Sequence, residues 1–471
     1  MVVPGVTYVR LMGMNLVKEM KMLLDKHGDA MFPVKDAIKK NPDSKAFVIQ
    51  VGPFLCLILT DSEYIKEFNN KIIVDYDRLQ AQLVFDVLVK NGIVALTGEE
   101  WKLHRKILSD SFRFDLFEKN IFENYTATVE FFQNLSPQEM EGFLPRDQLK
   151  RVFSAITGQN FFGENVDKRM LEGKSALVYL FELFEEIGKV RINPIMMLPL
   201  PEAVKRKIVP SYRRFIVRAR KFKDLMLKII QETRERIESN PNLKGRNIIE
   251  GLLEAQKQHK NHSTLDDESI AGEFITLLFA GTDTTSCLLT FTLYHLAIDP
   301  DLVKELLDEI HHAIPGGKVT SINQLNNLEL MHSTLKEVLR LYPPVGFTAK
   351  EAIRDTRILD LKVKKGDSVG IAIQANNYNP KYWEDPEKFN PKRFMKGIIS
   401  PHMEPFAFLS FSAGMRNCIG QHFAMIQAKL VLTVFLMTFD FKLVPDYKMK
   451  VGFKVLYEPM DPLKLILTKK T

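Results

Sequence analysis

The chain has 471 residues, 45% of them hydrophobic and 26% charged, an ordinary globular composition with ample material for a large core. Its formal net charge of +7 is a diffuse excess that suits acidic partners or an anionic membrane surface, and with no nucleic-acid module in the chain it argues against a nucleic-acid function. Three widely spaced cysteines, Cys56, Cys287 and Cys418, form no disulfide framework and fit a reducing compartment.

Residues 1–14 hold too short an apolar stretch for a complete signal peptide. No run of about eighteen uncharged apolar residues exists, so no segment reads as a membrane-spanning helix. Residues 16–28 form an amphipathic first helix. Residues 46–60, "AFVIQVGPFLCLILT", read as two strands joined by a turn at Gly52-Pro53, with Cys56 in the core. Residues 61–70 read as a helix capped by Asp61. From Glu99 to about His312 the pattern is overwhelmingly helical. Thr97 is placed to cap the helix of "EEWKLHRK", and long amphipathic helices follow at 175–190 and 212–238. Between these two lies "RINPIMMLPLPEAVKRK", three prolines around an apolar tip with a basic flank.

Residues 266–299 form a long helix that is apolar on nearly every face, the pattern of a helix buried through the centre of a large domain. Cys287 on it reads as inert. Residues 321–345 end helically at the paired prolines Pro343 and Pro344. Short strand signals follow at 355–373, then a turn-rich stretch at 376–394. A further helix begins near Gly420, and a terminal strand pair closes the chain. The sum is one α-rich domain with small β-sheets, an α+β organisation over residues 1–471.

The sharpest chemical signal is "FSAGMRNCIG", residues 411–420. A thiolate near neutral pH needs positive charge or a metal beside it. Arg416 stands two residues before Cys418. Gly414 and Gly420 allow tight turns and close approach to a flat object. The N–H groups of the following helix favour an anion, and Phe411 is able to pack beneath a planar ring. By itself the cysteine also reads as a free thiol in a loop. Phe411, Gly414, Arg416, Cys418 and Gly420 together match a fixed pattern that resembles the cysteine-ligand loop of the cytochrome P-450 family.

Four more landmarks follow that family in order. "AGTDTT", residues 280–285, holds an aspartate in an apolar helix, which is costly unless paired or functional. Gly281 is a weak helix former, and Thr284 is able to bond back one turn and loosen the helix. The stretch resembles the family's acid–alcohol pair, in which Asp283 would relay protons and Thr284 would hold a distal water. Glu337 and Arg340, three apart among apolar neighbours, resemble two members of the family's buried Glu-Arg-Arg network, with Arg393 of "FNPKRF" as the third. The resemblance makes these three structural supports of the loop beneath the haem. Trp101 and Arg105, four apart on one helix face, match the pair that bonds a haem propionate, with Arg416 serving another. The first basic residue after Pro344 is Lys350, which leaves open whether it supplies the further basic residue the family often carries there.

The resemblance implies a fold in which haem b, with an axial thiolate from Cys418, lies between the long central helix and the cysteine loop. It implies a monooxygenase that inserts one oxygen atom from dioxygen into a lipophilic substrate, a sterol, fatty acid or xenobiotic. The pocket would be lined from the 83–94 segment, including Phe85, Val87 and Leu88, from Phe279 and Ala280, and from Val345 and Phe347. No nicotinamide or flavin fingerprint is present, so electrons would come from NADPH through a separate flavoprotein reductase, with cytochrome b5 as a further partner. Lys102 and Lys106 are candidate docking residues. Residues 193–207 would rest on a bilayer. The chain, starting Met1-Val-Val, reads as one freed of its N-terminal anchor. The expected location is the cytoplasmic face of the endoplasmic reticulum, with a natively soluble enzyme as the alternative. Rival readings are a haem–thiolate isomerase or dehydratase acting on peroxides, which Asp283 and Thr284 argue against, and a non-catalytic haem-binding protein.

Overall fold

The computed structural model describes residues 7–12, 16–51, 54–79, 83–112, 114–191, 193–198, 200–240, 247–258, 265–396, 404 and 406–470. The described chain is mainly helical with small sheets. It clusters into two compact units, each assembled from separate stretches: residues 1–79, 125–148 and 284–471 in the first, 80–124 and 149–283 in the second.

The first unit carries the largest sheet. Its six strands run in the order Thr7–Met12, Ala46–Val51, Phe54–Leu59, Ser368–Ile371, Thr348–Ala352 and Tyr76–Arg78. The expected strands at 46–51 and 54–59 pair antiparallel, with Ile49 opposite Cys56. The turn expected at Gly52-Pro53 lies outside the described residues. β-branched and aromatic side chains fill the face turned to the core, where Val48, Leu57, Val369 and Ile371 pack with Tyr64, Phe68 and Tyr76. Cys56 is half-buried rather than a core residue. Burial nonetheless pushes its thiol up to about 12.

Three strands of this sheet were not apparent in the sequence, the short Tyr76–Arg78 among them. "TYVRLM" pairs parallel with residues 47–51. "TAKEA" pairs antiparallel with both Ser368–Ile371 and Tyr76–Arg78, which sets Lys350 opposite Arg78. At Gly370 the two backbones come so close that an added Cβ would meet the Thr348 carbonyl oxygen. The C-terminal region holds two strand pairs rather than one: Phe439–Leu443 with Leu465–Lys469, and Val451–Phe453 with Tyr457–Pro459.

Helix starts follow the capping signals in part. The Asp61 side chain accepts from the Glu63 N–H. Thr97 does occupy the N-cap position of Gly98–Ser111, but its side chain accepts no capping bond.

The second unit is mostly helical, with one short strand pair, Met170–Leu171 and Lys174–Ser175. Pro210–Ser239 buries Phe215, Phe222, Met226, Ile229 and Ile230 at three- and four-residue spacing. The long helix expected at 266–299 spans Asp267–Ala297, and contributes residues up to Asp283 to this unit and those from Thr284 to the first. Asp266 opens it by accepting from the Ser269 N–H at 2.8 Å. This helix and Gln421–Thr438 are long and apolar enough to cross a membrane, yet 78% and 72% of their apolar windows are buried within the fold. That burial explains why their apolar residues sit on every face.

Candidate active site

In the first unit, Cys418 is exposed and stands just before Gln421–Thr438, whose N-cap is Gly420. Its N–H donates to the Phe411 carbonyl at 2.9 Å, which closes the loop on itself. Gly414 has φ +66°, a conformation that favours glycine, and an added Cβ would stand 3.4 Å from the Asn69 Cβ. Gly420 differs from expectation: its φ of −91° is open to any residue, so the turn there does not require glycine. Phe411 and Arg416 are half-buried.

The loop is braced from behind. Ser410 Oγ donates to the Leu339 carbonyl at 2.7 Å, and Asn377 Nδ2 donates to the Arg340 carbonyl at 2.8 Å. Leu339 and Arg340 belong to the helix Glu329–Leu341, where Glu337 and Arg340 are fully buried. Arg340 Nε and Nη2 donate to the two oxygens of Glu337 at 2.8 Å each. Arg393 Nε donates to Glu337 Oε1 at 3.1 Å, and the Asn390 N–H reaches the same oxygen at 2.9 Å. The remaining Arg340 N–H groups take backbone carbonyls of Asn377, Pro386 and Lys388. The three residues singled out in the sequence are thus brought together, with Ser410 and Asn377 as links the sequence did not disclose.

Cations gather near this loop. Lys350 is half-buried and faces Arg78 across the sheet. Burial, then the Arg416 guanidinium and more weakly Arg78, pull its pKa down to about 8 against the opposing Asp77 carboxylate. Three cations, Lys350, Arg78 and Arg416, thus stand within electrostatic reach of one another. Guanidinium and ammonium groups bond the two carboxylates of a haem through charge-assisted contacts. The thiol of Cys418 is exposed, as are the apolar side chains of Val345, Phe347 and Met415 in the same unit, a combination that suits a flat apolar cofactor with one soft-ligand position. The residues of this unit therefore fit haem.

In the second unit, Trp101 is buried and Arg105 half-buried, four apart on Gly98–Ser111. Between them His104 Nδ1 stands 2.8 Å from Glu273 Oε1, both side chains fully buried. Burial raises the Glu273 carboxyl above its ordinary range, with His104 opposing. Lys102 and Lys106 are exposed, and Lys102 pairs with Glu99 at 2.6 Å.

Along Asp267–Ala297 most residues are buried, but Ala280 is exposed and Thr284 partly so. Four residues apart, they share one face. Phe279 is half-buried and stacks on Phe184 at 3.5 Å, and Phe184 also meets Phe85. Leu88 is buried. Asp283 is buried, and Lys150 Nζ lies 3.2 Å from its Oδ1. The sequence reading missed Lys150. The only available signal was a lysine followed at four and seven residues by Ser154 and Thr157 on one helix face.

A family model described as Cytochrome P450 matches residues 22–465. The chain is 30% identical over 391 residues to Cytochrome P450 3A31 of Mesocricetus auratus, covering 80% of this chain and 75% of that one. It is 29% identical over 464 residues to Cytochrome P450 3A18 of Rattus norvegicus, with 94% and 89% covered. It is 28% identical over 432 residues to Cytokinin hydroxylase of Arabidopsis thaliana, with 88% and 81% covered.

Proposed function

Since the chain belongs to the cytochrome P450 family, whose members are haem-dependent monooxygenases, we propose that it hydroxylates a lipophilic sterol, fatty acid or xenobiotic. Residues 1–471 act as one catalytic domain. Electrons come from NADPH through a separate flavoprotein reductase, with cytochrome b5 as a second donor. Haem b with an axial thiolate, when bound, supplies the oxygen-activating chemistry.

Cys418 would hold the iron. The N-terminal N–H groups of Gln421–Thr438 and the charge of Arg416 favour its thiolate form. In the first unit Arg416, Lys350 and Arg78 would take cofactor carboxylates, and in the second unit Trp101 and Arg105 are assigned the same role. Glu337, Arg340 and Arg393 keep the loop in place through Ser410 and Asn377. Asp283 would donate protons, and Thr284 would order the water that receives them. Phe85, Leu88, Phe279 and Ala280 in the second unit and Val345 and Phe347 in the first are the apolar side chains we assign to binding a lipophilic substrate.

Lys102 and Lys106 offer the basic surface for an acidic redox partner. Exposed Leu198, Val204 and Ile208 beside Lys205, Arg206 and Lys207 support contact with an anionic bilayer, and with it the cytoplasmic face of the endoplasmic reticulum. Residence as a soluble enzyme is the alternative.

The observation that carries this reading is the exposed thiol of Cys418 in a loop tied to a buried ion network and flanked by Arg416. The test is Cys418→Ser. The absorption band near ~450 nm that carbon monoxide produces with a thiolate-ligated haem should vanish, and its survival would refute the ligand assignment. Reductase-dependent oxygen uptake separates a monooxygenase from a peroxide isomerase.

A further inference from the structure

Glu273 stands where three stretches of the second unit meet. It belongs to Asp267–Ala297, and its Oε1 lies 2.8 Å from His104 Nδ1 of Gly98–Ser111, both side chains fully buried. The backbone N–H of Ile93 acts on the same carboxylate and favours its charged form. An apolar pair of similar volume would fill such a space without the cost of burying polar groups. The bonds are therefore to be judged by what they aim.

Two stretches hang on this carboxylate. The first is the helix of Trp101 and Arg105. His104 follows Trp101 by three residues and adjoins Arg105, about 60° from one and about 100° from the other around the helix axis. A bond at His104 sets the rotation of that helix, and with it the direction of both residues. The second is the turn after Leu83–Val89, the short helix of Phe85 and Leu88. Here two backbones touch: an added Cβ on Gly272 would stand 2.6 Å from the Lys90 carbonyl oxygen, and one on Gly92 would stand 2.8 Å from that of Gly272. The Gly92 carbonyl accepts from the N–H groups of Ala95 and Leu96 at 2.8 and 3.0 Å, which keeps the turn closed. Gly92 precedes Ile93 and Gly272 precedes Glu273, so this contact brings the Ile93 N–H to the carboxylate.

We propose that Glu273 is a positioning residue that clasps the substrate-binding segment 83–94 and the cofactor-binding helix Gly98–Ser111 to one point of the long helix, through the Ile93 N–H on one side and His104 on the other. The inference rests on the reading of Trp101 and Arg105 as the pair that takes a cofactor carboxylate. Glu273 is buried and acts only through the groups it holds. Losing it loosens both stretches at once, whereas cutting one attachment loosens one.

The test uses the haem-loaded enzyme and three readouts: haem transfer to apomyoglobin, the bending bands of the haem carboxylates in resonance Raman spectra, and the affinity for 4-phenylimidazole read from the haem absorption shift. His104→Phe should speed haem loss about threefold to tenfold, the equivalent of one hydrogen bond. It should also move the bending bands and leave the probe's affinity unchanged. Gly92→Ala should weaken the probe by a similar factor and leave haem loss unchanged. Glu273→Leu should do both, and Glu273→Gln, which keeps a hydrogen-bonding group of the same shape, should restore parental behaviour. The double variant His104→Phe, Glu273→Leu replaces the pair by apolar groups, so it should regain thermal stability without regaining the bands or the slow haem loss. If all three return together, the pair is structural and the clasp is refuted. If His104→Phe and Gly92→Ala each impair both haem hold and probe binding, the attachments are not separate and the clasp is likewise refuted. If His104→Phe and Glu273→Leu match the parent while Arg105→Leu loses haem faster, the clasp falls and the carboxylate role of Arg105 stands. If Arg105→Leu also matches the parent, that role falls and takes this proposal with it.

Discussion

Arg340 and Glu337, three residues apart on one helix, are joined by two hydrogen bonds of 2.8 Å and are both wholly buried. Two charges removed from water in this way survive only because every remaining donor has a partner, and Arg340 spends its other N–H groups on three backbone carbonyls. Glu337→Ala should therefore cost about 3–5 kcal/mol, the usual loss on breaking a buried pair. The double variant Glu337→Leu, Arg340→Met should not recover that stability, because the carbonyls of Asn377, Pro386 and Lys388 lose their donor. Denaturant midpoints in a double-mutant cycle check both statements, and the yield of haem-loaded protein should fall with them.

Lys350 gives a pH prediction with a definite sign. Its ammonium is depressed to about 8 by burial and the neighbouring Arg416, and pairing with a cofactor carboxylate would raise it. Haem affinity should then weaken as pH rises above about 8, by up to about tenfold per unit until the bound-state pKa is reached. Lys350→Arg, whose charge does not titrate there, should flatten this dependence. Haem transfer to apomyoglobin across pH 7–10 (roughly the window over which a lysine so placed titrates) is the measurement.

Part of this site was legible in the sequence and part was not, for a physical reason. Glu337 and Arg340 announced themselves because both partners lie on one helix turn among apolar residues. The cysteine loop did so because its glycines, arginine and thiol are contiguous. Arg78 and Lys350 come together only through strand register, and neither short strand has the alternation that would reveal it. "TAKEA" is half polar and hides a central strand of the six-stranded sheet. Lys150 and Asp283 meet through the packing of two helices, which no local pattern encodes. Gly420 shows the opposite error, since its place in a familiar motif was read as a conformational need that its φ does not bear out.

His104 and Glu273 make a second buried pair. Burial raises the Glu273 carboxyl, so the folded state holds its proton to higher pH than the unfolded chain does. Its contribution to stability is full below the ordinary glutamate range and is lost as pH rises through the elevated pKa. Glu273→Gln should flatten that slope while keeping a bond to His104. Glu273→Leu should cost about 1–3 kcal/mol by stranding the imidazole nitrogen. Thermal unfolding between pH 4 and 8 (approximately the span from unperturbed glutamate to above unperturbed histidine) reports both.

The basic helix Glu202–Ile208 with exposed Val204 and Ile208 should carry part of any bilayer affinity. Val204→Ser with Ile208→Ser should reduce binding to vesicles containing anionic lipid by about tenfold, since each side chain loses apolar area worth roughly a kcal/mol or more in the interface. Lys205→Gln with Lys207→Gln should weaken binding to anionic vesicles only, and the loss should shrink at high salt. Vesicle sedimentation at two ionic strengths separates the two contributions.

Gly370 never approaches Cys418 in sequence, yet it has a hold on the electrostatics of the site. Its bare backbone lies against Thr348 so closely that any side chain would force the strands apart, and the pairing of Ser368–Ile371 with Thr348–Ala352 depends on that contact. A slip of one residue would turn Lys350 to the opposite face of the sheet. The charge two positions beyond Thr348 is thus aimed by an atom that is missing from its neighbour. A conservative-looking Gly370→Ala change would be felt as a misdirected cation before it was felt as a lost strand.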